Sequence, residues 1–141
     1  MITALLLSLL PLASPSVQRH VVVVGVNGSV DDGVKDLAYA DDDAARYAEL
    51  LKKSAASLTL LAAPDAETQR LFPEQTQKAL PPTSTELARA LDVVFARVSA
   101  DRDAGKDADF IFVYVGHGAV ADDGEGYVSL LDKRFTRTEM F

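Results

Sequence analysis

His117 is the residue of this chain best suited to chemistry, because glycines flank it on both sides, at Gly116 and Gly118. An imidazole exchanges protons near neutral pH, so a histidine held in a fixed place can act as a general acid or base. Neighbouring glycines allow backbone conformations that other residues avoid, and they leave room for a substrate to approach the ring. We therefore take His117 as the first candidate functional residue, with proton transfer as its predicted role.

The segment before this histidine, Phe110–Val115, consists of bulky β-branched and aromatic residues with no polar alternation. Such a run predicts a strand buried on both faces, as in the interior of a parallel sheet. In open α/β sheets the functional sites lie at the carboxyl ends of the strands. The predicted strand would therefore hold His117 at the edge of the sheet where such sites occur.

Strand and helix patterns alternate along the rest of the chain. Strands are predicted at His20–Val26, Leu58–Ala62 and Phe110–Val115, and helices from Asp41 to about Ser54 and from Thr83 to about Ala100. Aspartates at 41–43 suit the N-cap and first turn of a helix, and Thr83 to Glu86 fits a capping box. The segment Ala63–Pro82 between them predicts a long polar loop. This alternation predicts an α/β fold with three layers, in which helices flank a mostly parallel sheet.

The order of several segments points to a known family. These segments are Val21–Asn27, Leu37–Ala44, the strand ending in Gly116-His117-Gly118, the acidic loop Asp122–Gly126, and Tyr127–Asp132. Together they resemble the histidine-bearing N-terminal part of the caspase and metacaspase cysteine peptidases, over roughly His20 to Asp132. The resemblance implies a caspase-like fold and a cysteine-type endopeptidase whose substrate is a peptide or protein.

The resemblance also implies roles for individual residues. His117 would serve as acid and base, and the Gly118 amide would help to stabilise the oxyanion. Asp43 matches an acidic residue that helps metacaspases to hold a basic substrate side chain, although helix capping explains the same carboxylate. Relatives commonly have serine before Gly-His-Gly. This chain has Val115 there, which weakens the basic-substrate interpretation.

The nucleophile of the family is missing, because the chain contains no cysteine. Caspase-type enzymes carry it roughly 50 residues after the histidine, whereas only 24 residues follow His117 here. Ser129, Thr136 and Thr138 have no recognisable base partner, so we interpret them as solvated hydroxyls. We expect the chain to be inactive alone, whichever substrate the complete enzyme would take.

A folding argument also indicates that the domain is incomplete at its C-terminus. The strand Phe110–Val115 needs a neighbour on each side, and the chain offers the valine strand on one side and only Tyr127–Leu131 on the other. We therefore expect an exposed hydrophobic edge, to be covered by a lost cysteine-bearing segment or by a partner chain. Two other functions stay open: a non-catalytic caspase-like binding or scaffold module, and an unrelated α/β domain that binds a small ligand at His117.

Charge and composition exclude several classes of partner. A formal net charge of -7 and a pI near 4.7 argue against nucleic acid, which requires a basic surface. The two histidines lie at different strand ends, and caps and turns explain the carboxylates, so no metal or cofactor is predicted. His20 is interpreted as a polar residue that begins a strand, and Asp122–Glu125 as a hairpin turn rather than a calcium site.

The N-terminal segment predicts a targeting signal. Residues 1–16 contain a short apolar run followed by small residues and prolines, which favours a secretory signal peptide over a membrane span. The segment has no lysine or arginine, so a buried N-terminal segment is the alternative. With the signal, the protein would be secreted or periplasmic, and without it cytoplasmic. The caspase-like domain would then comprise residues 17–141.

Overall fold

A computed structural model describes residues 16–140 of the chain. The strands are β1 (Gln18–Gly25), β2 (Ser57–Ala62), β3 (Ala108–Val115), β4 (Gly118–Val120), β5 (Gly126–Ser129) and β6 (Arg134–Thr136). The helices are α1 (Ala40–Lys52), α2 (Ala66–Leu71), α3 (Pro73–Thr76), α4 (Ser84–Asp103) and α5 (Arg137–Met140). Of the predicted signal peptide, all but Ser16 lies outside the described residues.

The centre of the fold is a parallel sheet of three strands in the order β2-β1-β3. Its middle strand β1 carries four consecutive valines that are almost completely buried. Their side chains alternate between two hydrophobic clusters, one formed with α4 and the other with α1. Helices therefore cover both faces of the sheet, as the sequence predicted, and the α/β fold with a parallel sheet is confirmed.

The strand that leads to His117 lies at the edge of this sheet, not at its centre. β3 pairs with β1 on one side, and no described strand pairs with its other side. All six residues of Phe110–Val115 are half-buried, so the prediction of a strand buried in the interior is wrong. The predicted neighbour Tyr127–Leu131 is also wrong, since β5 pairs with β4 and β6 in a separate antiparallel sheet.

The two long helices begin differently from one another. Tyr39 occupies the N-cap of α1 and makes no side-chain cap, so the predicted aspartate cap is wrong. The Asn27 side chain instead accepts a hydrogen bond from the Ala40 N–H, at 2.7 Å. Thr83 caps α4 as predicted, through a bond from the Glu86 N–H.

No helix within residues 16–140 is both long and apolar enough to cross a membrane.

The segment predicted as a polar loop, Ala63–Pro82, contains two short helices, α2 and α3, so that prediction is wrong. Its last part covers half of the outer edge of β2. The Leu80 N–H donates to the Leu60 carbonyl, and the Ala62 N–H donates to the Leu80 carbonyl, both at 2.9 Å. The beginning of β2 has no such cover from Leu80.

Candidate functional site

The Tyr114 side chain holds the backbone of His117 in place by hydrogen bonding. His117 lies in the short turn between β3 and β4, and its carbonyl accepts a 2.8 Å hydrogen bond from the Ser129 N–H. The Tyr114 hydroxyl lies 2.9 Å from the same carbonyl and 2.6 Å from the Ser129 carbonyl, so its single proton is shared between them. Burial raises the pKa of Tyr114 to about 12. The hydroxyl is therefore a donor at all ordinary pH values.

The position before the histidine requires glycine because the Tyr114 ring passes directly over it. A Cβ atom on Gly116 would lie 2.7 Å from Tyr114 Cζ and 3.0 Å from the Val26 carbonyl oxygen. The second contact is with backbone, which cannot turn away as a side chain can. The glycine that the sequence suggested for substrate access thus has a packing reason here.

The imidazole of His117 is half-buried, and its Nε2 atom has no hydrogen-bond partner among the described residues although it is shielded from solvent. A buried polar atom without a partner costs free energy, of the order of 1–3 kcal/mol. Native proteins rarely keep such an atom unless it serves a function or binds a group from outside. Nε2 is therefore the atom of this site that is available for proton transfer or ligand binding.

The amide of Gly118 faces away from the neighbouring strand. Gly118 is paired with Val128 in the antiparallel ladder, and the Ser129 N–H donates to His117. In this register Gly118 and Val128 form a pair that does not exchange backbone hydrogen bonds. The Gly118 N–H therefore points out of the β4–β5 ladder, next to the imidazole, as an oxyanion donor requires.

A hydrogen-bonded cluster that the sequence did not reveal, formed by Asp31, Tyr127 and Arg134, lies within electrostatic range of His117. Asp31, in the loop after β1, accepts hydrogen bonds from the Tyr127 hydroxyl and the Arg134 Nε, both at 2.7 Å. These bonds lower the pKa of Asp31, Tyr127 contributing most, and attraction to the charge of His117 adds to the effect. The Arg134 guanidinium also lies over the Tyr127 ring, 4.5 Å from its centroid. Asp31 is thus ionised at neutral pH and lies within electrostatic range of the imidazole, while its described hydrogen bonds go to Tyr127 and Arg134.

Asp43, the predicted substrate contact, lies apart from this cluster. Its side chain is exposed on the first turn of α1, and Arg46 Nη1 is 3.9 Å from its carboxylate.

Asp41, in the same turn of α1, has a structural role. Its side chain is buried and accepts hydrogen bonds from the Asn27 side chain, the Asp65 N–H and the Thr68 hydroxyl. Burial opposes ionisation of Asp41, but these bonds outweigh it and lower its pKa.

The three hydroxyls that were weighed as substitute nucleophiles have other surroundings. Ser129 is completely buried in β5, so its interpretation as a solvated hydroxyl is wrong, and its Oγ is 3.3 Å from Ser29 Oγ. Thr138 donates to the Glu125 carboxylate at 2.8 Å. Thr136 is half-buried in β6, and its hydroxyl accepts from the Glu139 N–H. Among these contacts only the Glu125 carboxylate is a base, and it is a weak one because the bonds from the Thr138 N–H and hydroxyl lower the pKa of Glu125.

Ligands for a metal ion are not gathered anywhere in the described part of the chain. Within residues 16–140, no group of three or more histidine, aspartate or glutamate side chains has a metal-binding arrangement. The acidic segment Asp122–Glu125 forms the turn between β4 and β5, with Gly124 at a φ of 84°. It is a hairpin turn, as predicted.

Comparison with known proteins does not identify a family for this chain. No family model matches it, and neither a curated protein nor a solved structure matches it. The resemblance to caspases therefore depends on this chain's own residues, and its function has to be argued from the geometry around His117.

Proposed function

We propose that this chain is the histidine-bearing N-terminal part of a caspase-like cysteine endopeptidase, inactive alone because it contains no cysteine. The observation that carries the proposal is the position of His117: within residues 16–140 its Nε2 has no partner, and no strand pairs with the outer edge of β3, at whose end it lies. The parallel order β2-β1-β3 with helices on both faces agrees with such a fold.

The unpaired edge of β3 is ready to accept another strand. Asp107 and Val115 direct their carbonyls towards β1, where the N–H groups of Gln18 and Val26 bind them. Successive residues of a strand direct their backbone N–H and C=O groups to opposite sides. Because the odd-numbered residues face β1, the backbone groups of Phe110, Phe112 and Tyr114 point away from β1, towards the outer edge. A strand added in parallel, like the rest of the sheet, would end beside His117. A cysteine at that end would complete the dyad.

In the completed site, each group of this chain has a defined task. His117 would take the proton of the thiol, so that the thiolate could attack the scissile carbonyl carbon. The outward N–H of Gly118 would stabilise the oxyanion of the tetrahedral intermediate. His117 would then protonate the leaving amine, and the ionised Asp31 nearby would stabilise the positively charged imidazole.

The substrate contact proposed for Asp43 is compatible with its surroundings. The carboxylate is exposed, and its 3.9 Å pair with Arg46 is a surface ion pair that contributes little. A basic side chain of a peptide could therefore displace Arg46 at small cost. Because Val115 replaces a serine at the site, we assign Asp43 a contribution to basic-substrate binding and not the whole preference.

A second candidate function is a non-catalytic caspase-like binding or scaffold module. The absence of cysteine supports it directly, since the chain cannot perform the family's chemistry by itself. The third alternative, an unrelated α/β small-ligand-binding domain, would use the same unpartnered Nε2 of His117. Replacing His117 by alanine would then abolish ligand binding while no proteolysis was ever observed.

Proteolysis by an extended chain tests the proposal. If the natural reading frame continues into a cysteine-bearing strand, that longer protein should cleave peptides, and His117→Ala should lower kcat by at least about 10²-fold. Ser54→Ala, at an exposed position in the turn after α1, serves as the control and should keep full activity. Undiminished cleavage by the His117→Ala protein would refute the proposal.

A further inference from the structure

A second histidine forms a hydrogen-bonded chain at the opposite end of the sheet. The Nδ1 atom of His20 lies 2.8 Å from Ser57 Oγ, and its Nε2 atom lies 2.9 Å from Asp101 Oδ2. His20 belongs to β1, Ser57 begins β2, and Asp101 lies in the last turns of α4. The sequence predicted His20 as a simple polar residue at a strand start, and its burial and its two partners were missed.

The positions of the protons in this chain follow from the partners. Asp101 also binds the Lys106 ammonium at 2.9 Å, and bonds from Lys106 and then from His20 lower the pKa of Asp101. An ionised carboxylate can only accept, so the His20 Nε2 carries a hydrogen. When the ring is neutral, its Nδ1 has a free lone pair, and the Ser57 hydroxyl donates its proton there.

We propose that Ser57 is a nucleophile activated by His20, in a second site that accepts acyl groups from small esters. This arrangement of hydroxyl, imidazole and carboxylate is the one that generates nucleophilic serines on unrelated folds, recognised by geometry and not by sequence position. The ring presents Nδ1 to the hydroxyl here instead of the more usual Nε2. Either nitrogen is a competent base when the other carries the proton and is held by a carboxylate.

The reaction balances with these three residues and water. Ser57 Oγ attacks the ester carbonyl carbon and forms an acyl–serine bond, while its proton moves to His20 Nδ1. The C–O bond of the ester breaks, and His20 returns the proton to the leaving alkoxide. Water then attacks the acyl–serine with His20 again as base, which releases the acid and restores Ser57. Asp101 is a positioning residue that fixes the ring and stabilises its charge.

A substrate can approach Ser57 from the rim of the sheet. The Ser57 hydroxyl lies with His20 on the α4 side, because His20 alternates with the α4-facing Val22 and Val24 along β1. The cavity of about 360 Å³ between α1, α3 and β2 opens on the other side of the sheet, so the hydroxyl does not face it. Ser57 is half-buried at the start of an edge strand whose first residues Leu80 leaves uncovered, and a small ester would reach the hydroxyl there.

The backbone of β2 offers an oxyanion donor at the same place. The backbone of Leu80 bonds to the Leu60 carbonyl and to the Ala62 N–H. The even-numbered residues of β2 therefore direct their backbone N–H and C=O groups away from β1. The same alternation directs the Leu58 N–H outwards at the uncovered part of the strand. Leu58 follows Ser57 directly, and an amide next to the nucleophile commonly supplies one oxyanion contact.

This site is separate from that of His117. In the register of the sheet, Gly25 lies beside Val115 at the carboxyl end, and His20 lies five residues earlier on the same strand. At about 3.3 Å per residue, roughly 16 Å separates the two ends. The reaction at Ser57 also needs no cysteine, so the success or failure of the caspase-like proposal does not affect it.

Covalent labelling of the purified chain tests the proposal. A small alkyl fluorophosphonate should modify Ser57, as located by peptide mass spectrometry, and p-nitrophenyl acetate should be hydrolysed. Ser57→Ala should abolish both, His20→Gln should lower both rates at least about 10²-fold, and Ser54→Ala should leave them unchanged. If Ser57 is not labelled, or is labelled no faster than Ser54, the proposal is wrong.

Single-cysteine variants give a second measurement that does not depend on substrate binding. Because the chain has no cysteine, Ser57→Cys and Ser54→Cys each introduce one thiol. Activation by His20 predicts that iodoacetamide alkylates the thiol at position 57 at least tenfold faster at neutral pH, and His20→Gln should remove that advantage. Asp101→Asn should change the pH profile of this rate. Equal rates and profiles for folded variants would mean that the three residues are only a structural hydrogen-bonded chain.

Discussion

The Tyr114 hydroxyl and the His117 carbonyl oxygen lie 2.9 Å apart, which ties the end of β3 to the residue proposed for proton transfer. The same hydroxyl contacts the Ser129 carbonyl, so one side chain joins the turn to β5. A residue of β3 thus stabilises the turn that follows β3. The orientation of the imidazole depends on this contact because the turn has glycines on both sides.

Tyr114→Phe should lower the free energy of unfolding by about 1–2 kcal/mol, because the His117 and Ser129 carbonyls lose the hydroxyl donor that they share. Urea unfolding followed by circular dichroism measures the change. Tyr39→Phe, which alters an exposed tyrosine, is the matched control and should change stability by less than about 0.5 kcal/mol. Equal stability of the Tyr114→Phe protein and the wild type would show that the hydroxyl does not support the turn.

Gly116→Ala should be more damaging than an alanine at another glycine of the same region. The new Cβ would press against Tyr114 and against the backbone oxygen of Val26, and overpacking of this kind costs about 1–3 kcal/mol. At Gly126 a Cβ meets no atom within 4 Å, so Gly126→Ala is the control. Thermal unfolding of both proteins tests the prediction, which requires a clearly lower Tm for Gly116→Ala alone.

The buried Asp41 should make stability depend on acid. Its folded pKa is lowered, so its contribution is fully present above the unfolded value of about 3.9 and is lost as the pH falls through the lower folded pKa. Asp41→Asn should therefore destabilise the protein at pH 7 by about 1–3 kcal/mol. The difference from wild type should shrink below about pH 3. A constant difference from pH 7 to pH 2 would contradict this role.

The unpaired edge of β3 should make the isolated chain associate with itself. Its apolar residues carry no lysine or proline of the kind that protects natural edge strands. Light scattering during gel filtration should show a mass that rises with concentration, and Val113→Lys should reduce it. Val93→Lys, on an exposed part of α4, is the control. A wild-type chain that stays monomeric at all concentrations would show that this edge is protected.

The sequence was sufficient to predict the elements whose pattern is local. Four adjacent valines identify the buried strand β1, and the spacing from Leu87 to Val98 identifies the buried face of α4. The strand that pairs with β3 could not be predicted in this way, because apolar residues on both faces of β3 do not specify which strand lies at its edge. The sequence therefore predicts a strand that needs two neighbours, with an exposed edge where one is missing, but it does not show that Tyr127–Leu131 pairs elsewhere.

Contacts between distant residues could not be predicted at all. Asp31 meets Tyr127 and Arg134 across 96 and 103 residues of chain, and no pattern near Asp31 indicates these partners. His20 reaches Asp101 across 81 residues in the same way. The candidate residue His117 was visible because glycines mark it locally, whereas its charged surroundings are a product of the tertiary fold.

The reading frame beyond the codon for Phe141 gives the most direct test of the proposed function. We predict an in-frame continuation that encodes a further apolar strand ending in cysteine, placed to pair with the outer edge of β3 beside His117. A stop codon directly after Phe141, or a continuation without such a cysteine, would contradict the peptidase proposal and would leave a binding or scaffold module, or a small-ligand-binding domain, as the function of this fold.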